Sequence, residues 1–244
     1  MQRVIDGWHS PSLNKHMEIV TYGDYGFPLL MFPTAAADYL EYERFYMIEV
    51  IKDFIETGKV KVFSINSINS ESWLNRQVPT KYKAIRQAEY NWYITDEVVP
   101  YIWNSCQGRI GIITTGASLG AFHAANQLFR RPDLFDGMIA MSGSYDIRGY
   151  YQGDYYDENV YFNNPVDYLP NLNDDDYLPR LRQKQHIHIV TGQGDYETPD
   201  ASRRLSGILS AKDIPHTLDL WGYDMPHDWP TWRAMLPYYL SAKF

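Results

Sequence analysis

Apolar residues fall along this chain in two rhythms. Short runs rich in β-branched and aliphatic residues occur at Met17–Tyr22, Pro28–Phe32, Val60–Ile65, Ile110–Thr114, Gly137–Ser142, His186–Thr191 and Thr217–Trp221. Runs this short and this apolar predict strands buried on both faces. Between them the apolar spacing lengthens to three and four. That spacing predicts helices over Tyr42–Thr57, stopped by Gly58, and within Gln87–Trp103, ending near Pro100. Further helices are predicted over Ala121–Phe129, Asp200–Ala211 and Thr231–Lys243.

Strands alternating with helices predict an α/β fold with a mostly parallel central sheet covered by helices on both faces. Only the short turn Gly23–Gly26 separates Met17–Tyr22 from Pro28–Phe32. The early strands are therefore expected to pair antiparallel, because a parallel pair needs a longer crossover. No repeat and no Gly/Ser-rich or Pro-rich linker divides the 244 residues, so one domain over 1–244 is expected. One segment breaks the rhythm. Tyr145–Leu178 is dense in Tyr, Asp and Asn and carries Pro165 and Pro170. It follows the third-last predicted strand and so emerges at the carboxyl edge of the sheet, where open α/β sheets bind ligands. It is expected to be an inserted cap or site-lining segment.

Composition narrows the function. A net charge of -8, with no basic cluster, argues against nucleic acid as a partner. The single cysteine, Cys106, excludes an internal disulfide framework and a multi-cysteine zinc site. There is no Cys-His metal spacing, phosphate-binding glycine loop or dinucleotide fingerprint, so no metal and no cofactor are expected. No apolar run approaches membrane-spanning length, and no basic-then-apolar leader opens the sequence. The expectation is a soluble, cytoplasmic protein with no membrane partner.

The chemistry is concentrated in IGIITTGASLGAFHAANQLF, from Ile110 to Phe129. A strand runs into Gly116-Ala117-Ser118-Leu119-Gly120, and a helix follows. G-x-S-x-G in that setting is a nucleophile elbow: the glycines admit a sharp turn, and the serine hydroxyl is held above the sheet edge at a helix N-terminus. The plainer role for Ser118, a helix cap, needs no such flanking glycines. In this fold an acid and then a histidine follow the serine in sequence. The strand HIHIVT ends in a turn bearing Asp195 and Glu197, and the strand HTLDLW is followed by His227. His227 is the expected general base. Asp195, directly at the strand end, is the favoured acid, with Glu197 the alternative. Asp224 and Asp228 are too close to His227 in sequence to aim at its ring, and Asp146 is a weaker candidate. His186 and His188 lie within a strand, His216 precedes one at the opposite edge, and His9 and His16 come before the elbow. His123 sits on the elbow helix, facing away from the turn or into packing. The oxyanion hole should use the amide of Leu119 and one from Pro33-Thr34-Ala35-Ala36-Ala37, with Ala35 and Ala36 as candidates.

The pieces GASLGA, RRPDLFDGMIAMSGSYD, TGQGDYETP and PHDWPTWRAMLPYYL occur in this order. In order and spacing the chain, from Pro28 to the C-terminus, resembles the esterase branch of the α/β-hydrolase superfamily. That branch includes S-formylglutathione hydrolases (esterase D) and feruloyl or enterochelin esterases. The resemblance implies the α/β-hydrolase fold and cofactor-free ester hydrolysis through a covalent acyl-enzyme, on a small-molecule ester. The chain departs from the common pattern in having Thr34-Ala35 where many hydrolases carry His-Gly. Trp73, Tyr39 and Trp229 are candidate substrate-lining residues, and the abundance of aromatics suits a sugar ester or an aromatic acyl group. The same triad would also serve an acyltransferase. A non-catalytic binding module need not keep Ser118, an acid and His227 in order.

Overall fold

The computed structural model describes residues 1–151 and 155–244. Among these residues eight strands form one sheet: β1 (Arg3–Ser10), β2 (Lys15–Tyr22), β3 (Phe27–Phe32), β4 (Val60–Ile65), β5 (Ile112–Ala117), β6 (Phe135–Met141), β7 (His186–Thr191) and β8 (Thr217–Leu220). Their spatial order is β1-β2-β4-β3-β5-β6-β7-β8. From β4 to β8 all neighbours are parallel, and β2 is antiparallel to both β1 and β4.

The antiparallel expectation holds in direction but not in partner. The Gly23–Gly26 turn does not close a hairpin, because β4 inserts between β2 and β3. Two strand spacings are roughly 10 Å, within the reach of a four-residue connection. The turn packs on the start of β4, where the Phe27 amide donates to the Lys59 carbonyl (3.1 Å). Periodicity gave no sign of β1. It is a largely exposed edge strand, RVIDGWHS, without an apolar run.

Alternation along the strands splits the core into two layers. Leu30, Phe32, Phe63, Ile65, Met138, Ala140, Ile187 and Ile189 face one side. Leu29, Met31, Val60, Val62, Ile139, Met141 and Val190 face the other. The helices are α1 (Glu41–Arg44), α2 (Met47–Val50), α3 (Lys52–Glu56), α4 (Thr80–Trp92), α5 (Val99–Ser105), α6 (Leu119–Arg130), α7 (Glu158–Tyr161), α8 (Pro165–Asn171), α9 (Tyr177–Arg182), α10 (Pro199–Ala211) and α11 (Trp229–Ala242). Apolar residues of α4 to α6 and α8 to α10 pack on the first side, and those of α1 to α3 and α11 on the second. Helices thus cover both faces of the sheet.

Two predicted helices differ from the observed ones. Tyr42–Thr57 is broken into α1, α2 and α3, with Tyr46 in the left-handed region at φ 62°. The apolar stripe survives the breaks, with Met47, Ile48, Ile51 and Ile55 all buried. Spacing therefore reported the stripe and not the interruptions. The helix expected to end near Pro100 instead continues to Ser105. A π-helical stretch, Tyr93–Val98, joins α4 to α5 and leaves Pro100 in the first turn of α5.

The carboxyl ends of β3, β5, β6, β7 and β8 lie level, through the pairs Phe32↔Gly116, Ala117↔Met141, Met141↔Val190 and Thr191↔Leu220. The chain from Tyr145 to Leu178 leaves this edge as a 3₁₀ turn, α7, α8 and the start of α9. Residues 152–154 of this expected cap lie outside the described residues. No described helix is long and apolar enough to cross a membrane.

Candidate active site

β5 delivers Ser118 into the connection to α6 with φ 56° and ψ −122°. Such a conformation is costly for a residue with a Cβ, and it persists only where the surroundings enforce it. Here the flanking glycines make the turn sterically feasible. A Cβ on Gly116 would lie 2.3 Å from the Gly120 carbonyl carbon, and one on Gly120 would lie 2.3 Å from the Phe32 oxygen. The elbow and the end of β3 are therefore in backbone contact. The Ser118 amide is fixed by the Met141 carbonyl (2.9 Å). The side chain of Ser118 makes no helix-capping bond.

Ser118 Oγ lies 2.9 Å from Nε2 of His227. His227 sits in the connection from β8 to α11, with its ring edge-on to Trp232 at 5.1 Å. Its Nδ1 lies 3.3 Å from Oε2 of Glu197. An ionised carboxylate only accepts, so Nδ1 carries the proton and donates it to Glu197. Nε2 is then the bare nitrogen and accepts from the Ser118 hydroxyl.

The carboxylate beside the histidine is that of Glu197, the alternative acid, and not that of the favoured Asp195. Gly194–Glu197 forms a turn closed by the Glu197 amide on the Gly194 carbonyl (3.2 Å), with Tyr196 at φ 64°. The left-handed residue sends Asp195 and Tyr196 out to solvent and brings the Glu197 side chain back under the sheet edge, where it is 1% exposed. Asp195 touches His227 only through its backbone, as acceptor of the His227 amide (2.9 Å). Sequence position alone favoured the first acid after the strand, and the turn brings the second to the imidazole.

Glu197 is held from several directions. Its carboxylate accepts from Ser142 Oγ (2.5 Å), Thr191 Oγ1 (3.0 Å) and the Gly192 amide (3.3 Å), besides His227. Burial acts to raise its pKa, but the bonds from His227, Ser142 and Thr191 outweigh it. The carboxyl titrates below the usual glutamate range. Ser142 also accepts from Trp232 Nε1 (3.1 Å) and sits at φ 53° with its amide on the Val190 carbonyl (2.7 Å). Ser142 and Thr191 were not singled out in the sequence, and Trp232 entered only as part of the closing piece PHDWPTWRAMLPYYL. The signal for the first two was their place at strand ends.

The loop after β3 is pinned on all sides. Tyr42 donates to the Phe32 carbonyl (2.8 Å), and the buried Glu41 accepts from the Thr34 amide (2.7 Å) and hydroxyl (2.5 Å). Asn69 Nδ2 donates to the carbonyls of Thr34 (3.2 Å) and Ala35 (2.5 Å). A trans peptide holds its C=O and N–H on opposite sides. Fixing those two carbonyls therefore turns the Ala35 and Ala36 amides away from Asn69, on a stretch where both residues are exposed. Asn69 is itself oriented by His123, whose Nε2 lies 2.7 Å from Oδ1. His123 is fully buried on α6, and burial pushes its imidazole down to about 3, so it is neutral. The elbow helix thus reaches the candidate oxyanion loop through His123 and Asn69. Leu119 opens α6, where first-turn amides have no intrahelical acceptor.

The remaining candidates fall elsewhere. Trp73 is buried in a cluster with Leu119 and Phe122, next to the elbow. Trp229 is buried, stacked on Phe45 at 4.6 Å and edge-on to Tyr42 and Trp232, so its ring is used in packing. Tyr39 is half-buried against the same layer. Asp146 is paired with Arg148 and Arg204. His188 and His216 are bonded to Thr217 and Ser206. Among the described residues no cluster of His, Cys, Asp and Glu could hold a metal ion.

A mostly parallel sheet with a serine on its elbow defines the α/β-hydrolase class. Residues 33–241 match the family model described as "Putative esterase", and the chain belongs to that family of serine carboxylic-ester hydrolases. No curated protein matches the sequence. Among solved structures, a ferulic acid esterase is 19% identical, with TM-score 0.73 over 98% of this chain and 96% of that one. An S-formylglutathione hydrolase from Staphylococcus aureus is 17% identical, with TM-score 0.70 over 98% and 95%. A ferulic acid esterase from the anaerobic fungus Anaeromyces mucronatus is 13% identical, with TM-score 0.69 over 98% and 88%. At these identities the likeness is one of fold.

Proposed function

We propose that the esterase works through an acyl-enzyme, with Ser118 as nucleophile, His227 as general base and Glu197 as the acid that orients it. The observation that carries this is the continuous line from Ser118 Oγ to His227 Nε2 (2.9 Å) and from His227 Nδ1 to Glu197 (3.3 Å). His227 takes the Ser118 proton as Oγ attacks the ester carbonyl. The carbonyl oxygen becomes an oxyanion, received by the amides of Leu119 and of Ala35 or Ala36. The imidazolium, stabilised by Glu197, returns its proton to the departing alcohol. Water then repeats the sequence on the acyl-enzyme, releasing the acid and free Ser118.

A panel of chromogenic esters, short-chain, long-chain and feruloyl, run on wild type and Ser118→Ala tests the reading. Wild type should hydrolyse at least one and take a fluorophosphonate label. Ser118→Ala should do neither and should fold as well as wild type or slightly better, because it relaxes a strained functional residue. A labelled, active Ser118→Ala protein would remove Ser118 from the chemistry.

A further inference from the structure

A cavity of about 520 Å³ is lined by Trp73, Leu74, Arg76, Lys83, Gly149 and Tyr150. Trp73, Leu74 and Tyr150 also pack in the cluster that contains Leu119, the residue after the nucleophile. The cavity is therefore beside the elbow. Its chemistry is unlike the rest of this acidic chain. Arg76 and Lys83 both line it, and among the described residues neither has a carboxylate partner. Among the described residues, three acids of the neighbouring segments are engaged elsewhere: Glu71 by Lys15 and Arg86, Asp146 by Arg148 and Arg204, and Asp157 by the Tyr155 hydroxyl and Val160 amide.

Lys83 also stands where a cation is disfavoured. It lies in the first turn of the 13-residue α4, at the positive end of the helix dipole, and no acid occupies that turn. Pro79, at the cap, supplies no capping side chain. Burial and the neighbouring Arg76 both act against its charge and lower its pKa. Lys83 Nζ donates to the Tyr150 carbonyl (3.0 Å), which leaves two of its three donors for another partner. The Trp73 indole N–H, in the same wall, is buried with no partner among the described residues. Two cations and a helix N-terminus meet at one cavity, and an anion entering it would relieve their mutual repulsion.

We propose that this cavity is a carboxylate subsite, and that the substrate is an ester with a second, anionic end. This rests on the hydrolase reading above. The scissile carbonyl sits at Ser118, the arm of the substrate passes Leu119, its apolar part lies against Trp73, Leu74 and Tyr150, and its carboxylate meets Arg76 and Lys83.

Matched esters test it: mono-p-nitrophenyl glutarate against p-nitrophenyl valerate for an acyl-side charge, and 4-acetoxybenzoate against its methyl ester for an alcohol-side charge. Wild type should favour the charged member of one pair by about tenfold or more in kcat/KM, the scale of a charge-assisted hydrogen bond. Arg76→Gln, at an exposed position, and Lys83→Gln should each collapse that ratio, mainly through KM. Hydrolysis of the neutral esters reads the triad separately. Neutral esters turned over with no charge preference in either pair would overturn the subsite and leave the hydrolase standing. Binding of monomethyl glutarate to Ser118→Ala, followed by calorimetry, reads the cavity without turnover. It should be weakened by Arg76→Gln and by 0.5 M salt, and equal binding of methyl valerate overturns the proposal.

Discussion

At the scale of single residues, Glu197 is the least obvious part of the candidate site. Its carboxylate receives four donors, and only one of them is His227. The other three fix which oxygen meets the imidazole and keep the carboxyl ionised, so that the histidine is held in the tautomer that can accept from Ser118. Glu197→Gln leaves the shape but offers an amide that can present N–H to Nδ1 and favour the wrong tautomer. Turnover should fall by about 10² to 10⁴ with the fold intact. Asp195→Asn, at an exposed side chain whose only tie to His227 is a backbone carbonyl, should change kcat less than threefold by the small scale of exposed substitutions. Steady-state kinetics on the pair decide it, and an equal or larger loss from Asp195→Asn would restore the acid to Asp195. Ser142→Ala removes one of the donors and should lower kcat by about tenfold, the scale of one hydrogen bond to a charged group. An unchanged rate would mean that Thr191 and Gly192 suffice.

At the scale of elements, the sequence was legible where a stripe or a strand end sets position. The periods gave seven of the eight strands, and the elbow followed from glycines flanking a serine between a strand and a helix. His227 followed from its place after the last strand. What stayed hidden depends on backbone conformation that has no composition signal. Tyr46 and Tyr196 adopt left-handed φ without being glycine; one breaks a helix, and the other lies in the turn that brings Glu197 to His227. The His123–Asn69 link was equally invisible, since it joins residues 54 apart and only the packed sheet brings them together. The contact of Gly120 with the end of β3 makes a prediction at this scale. A Cβ there meets the carbonyl oxygens of Phe32 and Pro33 at 2.3 and 2.6 Å, both backbone atoms. Gly120→Ala should therefore displace the Pro33–Ala37 loop, costing about 1–3 kcal/mol of stability and moving the candidate oxyanion amides. Urea unfolding and kcat together check this: stability lost with kcat preserved would separate the loop from the chemistry.

At the scale of the whole molecule, the two core layers each enclose a neutral histidine. His123 lies on one side of the sheet against Phe32 and Tyr90, and His188 on the other against Tyr239. Burial pushes His123 down to about 3 and His188, aided by the charges of His186 and Lys243, down to about 4. Both folded values lie below the unfolded imidazole value of about 6.5. The unfolded chain therefore binds protons that the folded chain refuses. The stability this gives is fully present above pH ~6.5 and is lost as pH falls toward the folded values, because unfolding then takes up protons. Each such histidine should steepen the fall by about 1.4 kcal/mol per pH unit within that window. The acid limb should thus begin above the range where Glu197 and the other depressed carboxyls contribute. Urea unfolding from pH 7 to pH 4.5 measures the slope, and His188→Gln and His123→Leu should each flatten it by one proton's worth. His123→Leu should also slow turnover, since it frees Asn69 from its orientation beneath the Ala35 and Ala36 peptides, whereas His188→Gln should not. A slope unchanged in both variants would show that neither imidazole is held neutral by the fold.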